Sequence, residues 1–263
     1  MFTANKYVLV DTIDQAYDLN QNRRNRIVGG MLWLKMSNSS IDTLIDLNKL
    51  NLNRIDESST EFHIGSMVTL RELELHKELN KYFNNVFLEA TRHIVGTQFR
   101  NTATVGGSVF SKFGFSDITT LLLALDTYVE LYKGGTISLK DFMEMKRDND
   151  ILIKIIIRKT KTNVHYISQR ISSTDFPILA CAVSKNEDCW KFSIGARPMK
   201  ATLVKNNLSN NPTSDEVKAF IDTISSSIEF KSNIRGSKEY RERLAQVLIK
   251  RAISHIQGEH NAN

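Results

Sequence analysis

Arg100-Asn101-Thr102-Ala103-Thr104-Val105-Gly106-Gly107-Ser108, followed by Ser116-Asp117 and an apolar run, is the stretch on which the reading of this chain turns. Two adjacent glycines let a backbone approach a ligand closely. They also admit positive φ, so that successive amide N–H groups can turn toward phosphate oxygens. Thr104 and Ser108 bracket the pair with hydroxyls suited to phosphate or sugar oxygens. Ser116 reads as the N-cap of a helix opening at Asp117, whose carboxylate can accept from a polyol hydroxyl. Gly29-Gly30, after the short strand-like Arg26-Ile27-Val28, offers a second such turn, and two together suit a pyrophosphate. Neither pair forms G-x-G-x-x-G or G-K-[ST], so neither a Rossmann fingerprint nor a P-loop is present.

The rest of the chain sets the bounds. Its 263 residues suggest one large domain or two modest ones. With 41% apolar and 24% charged residues it reads as globular, and no run approaches the ~20 apolar residues that cross a bilayer. The segment 1–10 has one Lys and no cleavage-like site, so a cytoplasmic protein without membrane insertion is expected. Two cysteines, Cys181 and Cys189, cannot furnish the four ligands of a structural zinc or an iron–sulfur cluster; a reduced pair is expected over a disulfide. The net charge of +6 is scattered. Its densest patch, Arg23-Arg24-Asn25-Arg26, lacks an aromatic stacking array, so no nucleic-acid partner is expected. His63, His76, His93 and His165 have no partners at metal-ligand spacing, and no metal site is assigned.

Periodicity supplies a coarse element order. Residues 7–10 read as a strand, and Ile13, Ala16 and Tyr17 stand at helical spacing. Further strands are expected at 26–28 and 43–47, and one at 62–64 pairing with 53–55 across Ser58-Ser59-Thr60. Thr69-Leu70-Arg71-Glu72 is a capping box, and a second helix is expected over 83–93. Residues 128–132 and 136–139 alternate around Lys133-Gly134-Gly135 as a hairpin, and 150–158 reads as a buried strand. Beyond residue 160, strands at 178–184 and 189–194 precede two amphipathic helices, one capped by Thr213 or Ser214 and the other by Ser237. This strand–strand–helix–helix unit predicts a small α+β domain.

The glycine segment resembles the flavin-binding subunit of the molybdenum hydroxylases, the xanthine dehydrogenase and carbon monoxide dehydrogenase group. That family carries Arg-Asn-x-[Ala/Gly]-[Ser/Thr]-[Val/Ile]-Gly-Gly-Asn, then Ser-Asp and Ala-Leu-Asp. Residues 100–108, Ser116-Asp117 and Ala124-Leu125-Asp126 fit without a gap. Ile27-Val28-Gly29-Gly30, Ile64-Gly65-Ser66, Gly195-Ala196-Arg197-Pro198 and Ile234-Arg235-Gly236-Ser237 with Tyr240-Arg241 follow the family's order, so the resemblance spans nearly the whole chain.

The resemblance implies an α+β protein. A two-subdomain, PCMH-like FAD-binding domain would occupy residues 1–160 (subdomains 1–57 and 58–160), with a small α+β flavoprotein domain at 161–263. It implies FAD as cofactor. Val28, Gly29, Gly30 and Met31 would cradle the pyrophosphate, and Thr104, Gly107 and Ser108 would complete the phosphate and ribityl contacts. Ser116 and Asp117 would take hydroxyl or phosphate-linked groups, and Ile94, Val95 and Gly96 would run against the isoalloxazine ring. Leu152 matches a position near the adenine or the ring edge. It also implies partners: a molybdenum-cofactor large subunit, a two-iron two-sulfur small subunit, and NAD or another acceptor. The family's Asn is Ser108 here, its Thr or Asn after the first Gly-Gly is Met31, and its lysine falls near Ile167, with Gln169 or Arg170 as substitutes. These departures motivate the alternative of a flavin-free assembly subunit with the same fold.

Overall fold

Strand β1 (Thr3–Leu9) and strand β2 (Arg26–Val28) both lie parallel to β3 (Ser40–Asp46), in the order β1–β3–β2. Helix Ile13–Asn20 connects the first two. Thr12 accepts from Gln15 N at 3.2 Å to cap it, and Ala16 is buried with Val10, Ile45 and Leu47. This computed structural model describes residues 1–187 and 189–258. The chain divides into two units, each gathered from separated stretches. The first comprises Met1–Leu73, Thr97–Ser111 and Thr127–Ile157; the second comprises Glu74–Gly96, Lys112–Asp126 and the chain from Arg158 onward.

The first unit holds a second sheet, ordered β4–β5–β8–β6–β7, built from β4 (Ile55–Glu57), β5 (Glu61–Gly65), β6 (Thr127–Leu131), β7 (Gly135–Ser138) and β8 (Leu152–Arg158). The β6–β7 hairpin forms as the sequence predicts. Gly135 takes φ +67, which favours glycine, and the Asp150 carboxylate accepts from Lys133 N and, at 2.7 Å, from Gly134 N. The capping box also forms: Glu72 N donates to Thr69 Oγ1 at 3.1 Å, and Thr69 N donates to Glu72 Oε2 at 2.7 Å. The partner of β5 lies two residues later than expected, with Ile55 opposite Ile64 and Glu57 opposite Phe62. The tight turn decides this. Ser58 N donates to Glu61 O at 2.8 Å, while Ser58 Oγ accepts from Glu61 N, which draws strand pairing up to Glu57.

In the second unit, β9 (Asn163–Gln169), β10 (Leu179–Lys185), β11 (Trp190–Gly195) and β12 (Thr202–Val204) form an antiparallel sheet ordered β12–β11–β10–β9. The sequence reading missed β9, whose alternating Val164 and Tyr166 are its buried positions. Strand alternation explains the layering. Leu179, Cys181, Val183, Trp190, Phe192 and Ile194 pack with Val217, Phe220 and Ile224 of helix Ser214–Ser227 and with Ala245, Leu248 and Ala252 of helix Lys238–Gln257. Thr213 and Ser237 cap these two helices. The intervening small residues meet helix Asp117–Ala124: Ser184 Oγ donates to Ala124 O, and a Cβ on Gly195 would lie 2.0 Å from Thr120 Oγ1. All eight residues of that helix are buried, and its two threonines bond back to the cap, Thr119 Oγ1 donating to Ser116 Oγ and Thr120 Oγ1 to Ser116 O, each at 2.9 Å. The expected helix over 83–93 is shorter, Val86–Thr91, because Asn84 and Asn85 take φ of +49 and +61 and break it from helix Lys77–Tyr82. Cys181 is buried and Cys189 exposed, both as free thiols. Among the described residues no helix is long and apolar enough to cross a membrane.

Replacing Gly195 by Val drives side-chain carbons into Thr120. We expect a loss of about 3 kcal/mol, read as a lowered urea midpoint; an unchanged midpoint contradicts the layering. His165 on β9 stacks on His255 with ring centroids 4.0 Å apart, and burial, then the neighbouring His255, lowers its pKa from 6.5 to about 4. The unfolded chain therefore takes up this proton first. Stability contributed by neutral His165 is present above pH 6.5 and is lost as pH falls toward about 4. His165→Gln should flatten that part of the pH–stability curve, and a variant curve parallel to the wild type refutes the assignment.

Candidate cofactor-binding site

The two glycine pairs lie in the first unit and converge on one side chain. Thr104 caps helix Val105–Phe110, its Oγ1 accepting from Gly107 N at 3.1 Å. A Cβ on Gly29 would lie 2.6 Å from the same oxygen, and a Cβ on Gly107 would lie 3.0 Å from it. Behind this contact, a Cβ on Gly30 would meet the backbone carbonyl of Thr102 at 2.0 Å, and one on Gly106 the carbonyl of Ser66 at 2.5 Å. Gly30 and Gly106 thus allow backbone to touch backbone. Gly29 and Gly107 line a cavity of about 870 Å³.

Of the predicted residues, Val28, Gly29, Thr104, Gly107 and Leu152 line this cavity. Met31 packs beside it on Val28, Ile41 and Leu44 with φ +57, and Ser108 Oγ donates to Thr104 O at 3.0 Å. Two expectations about the glycines change. Neither pair takes positive φ; what both require is the missing Cβ. The amides of the second pair are also engaged within the unit. Val105 N donates to Val68 O at 2.8 Å, Gly106 N to Ser66 O at 2.8 Å, and Gly107 N to Thr104. The amides of Gly29 and Gly30 have no backbone partner among the described residues, so the first pair carries the free N–H donors.

The sequence reading missed other groups on the cavity wall. Arg23, Arg26 and Arg147 line it, opposed by Asp148 and Asp150, and the Asp150 carboxylate is already taken by the hairpin amides. Arg26 Nη1 donates to Arg23 O at 2.6 Å, and Arg147 Nη2 to Phe110 O at 3.3 Å. Buried Asn25 and Ser66 also line the wall. Apart from the basic run at residues 23–26, no local pattern marks these residues; folding brings them to the wall.

The remaining predicted residues belong to the second unit. Ser116 accepts from Thr119 N at 3.1 Å and starts helix Asp117–Ala124, as expected. The Asp117 carboxylate, read above as an acceptor for a polyol, is buried. Its Oδ1 accepts from Arg170 Nη2 at 2.6 Å and from the Tyr166 hydroxyl. Burial pushes the Asp117 carboxyl above its ordinary pKa, while Arg170 and Tyr166 pull the other way. Arg170 also donates to Asp175 O at 2.5 Å and to Ser168 Oγ at 3.2 Å. Ile94, Val95 and Gly96 form a turn after helix Val86–Thr91, with Ile94 N donating to Thr91 O at 2.8 Å. Val95 stands exposed at φ +50, a strained conformation for a β-branched residue, and the space where a Gly96 Cβ would go is open. His93 lies near enough to Arg170 to feel its charge. Its pKa is lowered by burial first, then by Arg92 and Arg170.

A cavity floored by two side-chain-free glycines, with the free Gly29 amide, three guanidiniums and buried hydroxyl and amide oxygens, suits a nucleotide with a diphosphate. Comparison with known families agrees. Residues 2–160 match the FAD binding domain in molybdopterin dehydrogenase, and residues 166–256 match the CO dehydrogenase flavoprotein C-terminal domain. The chain belongs to this flavoprotein family, and its cofactor is FAD. It is 27% identical to the glyceraldehyde dehydrogenase medium chain of Sulfolobus acidocaldarius, over 95% of this chain and 97% of that one. It is 26% identical to the nicotine 6-hydroxylase medium subunit of Paenarthrobacter nicotinovorans, over 94% and 95% of the two chains. Its fold matches a chain of the carbon monoxide dehydrogenase of Hydrogenophaga pseudoflava with TM-score 0.86, at 19% identity and covering 98% of each chain.

The adjacent glycines should fail differently. Gly107→Val extends into the cavity with only Thr104 Oγ1 nearby, so the variant should melt near the wild type and lose FAD, read from flavin absorbance after gel filtration. Gly106→Val meets fixed backbone at Ser66 and should lower the melting temperature outright. Stoichiometric flavin in a folded Gly107→Val protein would remove this turn from the site.

Proposed function

We propose that this chain is the FAD-bearing medium subunit of a molybdenum-dependent hydroxylase or dehydrogenase, in which electrons pass from two-iron two-sulfur clusters on a small partner subunit to FAD and on to NAD or another acceptor. The observation that carries this reading is the convergence of both glycine pairs on Thr104 at the wall of the cavity, in a chain of this flavoprotein family. FAD supplies the redox chemistry when bound. Val28, Gly29, Thr104 and Gly107 would hold the diphosphate, with Arg26 and Arg147 offsetting its charge.

The chain's contribution is binding, orientation and exclusion of water. Hydride transfer from a reduced flavin to NAD needs no protein acid or base. Two cysteines are too few for a cluster, so the iron–sulfur centres and the molybdenum cofactor would reside on separate small and large subunits. The flavin domain at residues 1–160, the C-terminal domain at 161–263, and a place in the cytoplasm complete the proposal. Relatives named for glyceraldehyde and nicotine oxidation point to small organic substrates handled by the complex as a whole.

Two measurements test it. The purified chain given FAD should show visible flavin bands at one flavin per chain; absence of bands and of calorimetric heat would leave a flavin-free assembly subunit. Substrate oxidation should require both a molybdenum-bearing and an iron–sulfur subunit, reconstituted or co-expressed. Turnover by the isolated flavoprotein would instead make it a self-sufficient oxidase.

A further inference from the structure

Two buried polar atoms on the cavity wall have no partner. Asn25 and Ser66 are each 5% exposed, and neither Asn25 Oδ1 nor Ser66 Oγ has a hydrogen-bond partner among the described residues. Both residues are pinned in place. Asn25 Nδ2 donates to Leu19 O at 2.8 Å, which turns the amide oxygen the other way, and Asn25 N donates to Asn22 O at 2.9 Å. Ser66 N donates to Ile153 O at 2.9 Å, and Ser66 O accepts from Gly106 N at 2.8 Å. Buried polar atoms are almost always paired, so two orphans on one cavity wall call for a partner from outside the chain.

We propose that Asn25 and Ser66 are specificity-determining residues of the nucleotide site, bonding hydroxyl or amine groups of the ligand that flank its diphosphate. The proposal rests on FAD occupying this cavity. Asn25 Oδ1 can only accept, which excludes a phosphate oxygen as its partner and requires an O–H or N–H donor. Ser66 Oγ can donate or accept, so it suits a sugar or polyol hydroxyl. The anionic part of the ligand has its own partners on the same wall, the free Gly29 amide and the guanidiniums of Arg26 and Arg147. Asn25 and Ser66 are left to read the neutral part. In FAD those donors lie either on the adenosine or on the ribityl chain.

The test is calorimetric titration of the full chain and of Ser66→Ala and Asn25→Ala with FAD, ADP and FMN. Each variant should bind FAD about tenfold more weakly, the loss of one hydrogen bond. Ser66→Ala should melt no lower than the wild type without ligand, because its hydroxyl has no partner to lose. A merely structural serine would show the reverse pattern. A loss carried over to ADP but not FMN assigns the contact to the adenosine; the converse assigns it to the ribityl chain. If Asn25→Ala fails to fold through loss of the Leu19 contact, Ser66→Ala decides alone. Variants that match a flavin-binding wild type for all three ligands overturn this proposal only. A wild type without affinity for FAD overturns the cofactor reading and this proposal with it.

Discussion

The contact of Gly29 and Gly107 with Thr104 Oγ1 is the constraint from which the first unit's site follows. An oxygen that would stand 2.6 Å from a Cβ on Gly29 leaves little room for a side chain there, while a side chain on Gly107, 3.0 Å from the same oxygen, would occupy the cavity that both turns line. Close packing makes the requirement strict, because a folded interior absorbs an added carbon only by displacing neighbours. Once the turns meet, the wall beside them is bare backbone, and β2, the helix Val105–Phe110 and the segment around Ser66 are brought to one cavity. Gly30 and Gly106 serve the same end from behind, one seated on Thr102 and the other on Ser66.

The second unit answers to a different constraint. Its four-stranded sheet is covered on one side by two amphipathic helices. Small residues on the strands face a helix that is buried along its whole length. Ala180, Ala182, Ser184, Ser193 and Gly195 are the alternate positions of β10 and β11, and their size lets Asp117–Ala124 lie close. Asp117 at the start of that helix is tied to β9 by Tyr166 and to the following loop by Arg170. A carboxylate this buried is costly unless paired, and breaking the pair would leave an uncompensated charge, so Arg170 acts first as its counter-ion.

The departures from the family pattern acquire a physical meaning in the structure. Met31, where the family has a hydrogen-bonding side chain, packs on Val28, Ile41 and Leu44 and stabilises the strand that presents Gly29. Ser108, where the family has Asn, turns its hydroxyl back to the carbonyl of Thr104. Both side chains support the turns from within, and the free donors remain on the backbone of the first glycine pair, where a side-chain substitution does not remove them.

Much of this was legible locally. Helix caps at Thr69, Ser116, Thr213 and Ser237, the Lys133-Gly134-Gly135 hairpin and the alternation of β10 and β11 involve residues near one another along the chain, so the sequence alone determined them, together with the family and its cofactor. Strand β9 escaped because only Val164 and Tyr166 mark its buried face, and the helix break at Asn84-Asn85 because positive φ at asparagine is a tertiary choice. Part of the state of the second glycine turn was decided elsewhere: the carbonyls that take the amides of Val105 and Gly106 belong to Val68 and Ser66, some forty residues earlier. Asn25, Ser66 and Arg147 reach one cavity from three distant segments. Sequence periodicity reports which face of an element is buried; which partner an amide, a carboxylate or an orphan oxygen meets is set by long-range packing, and only the folded chain decides it.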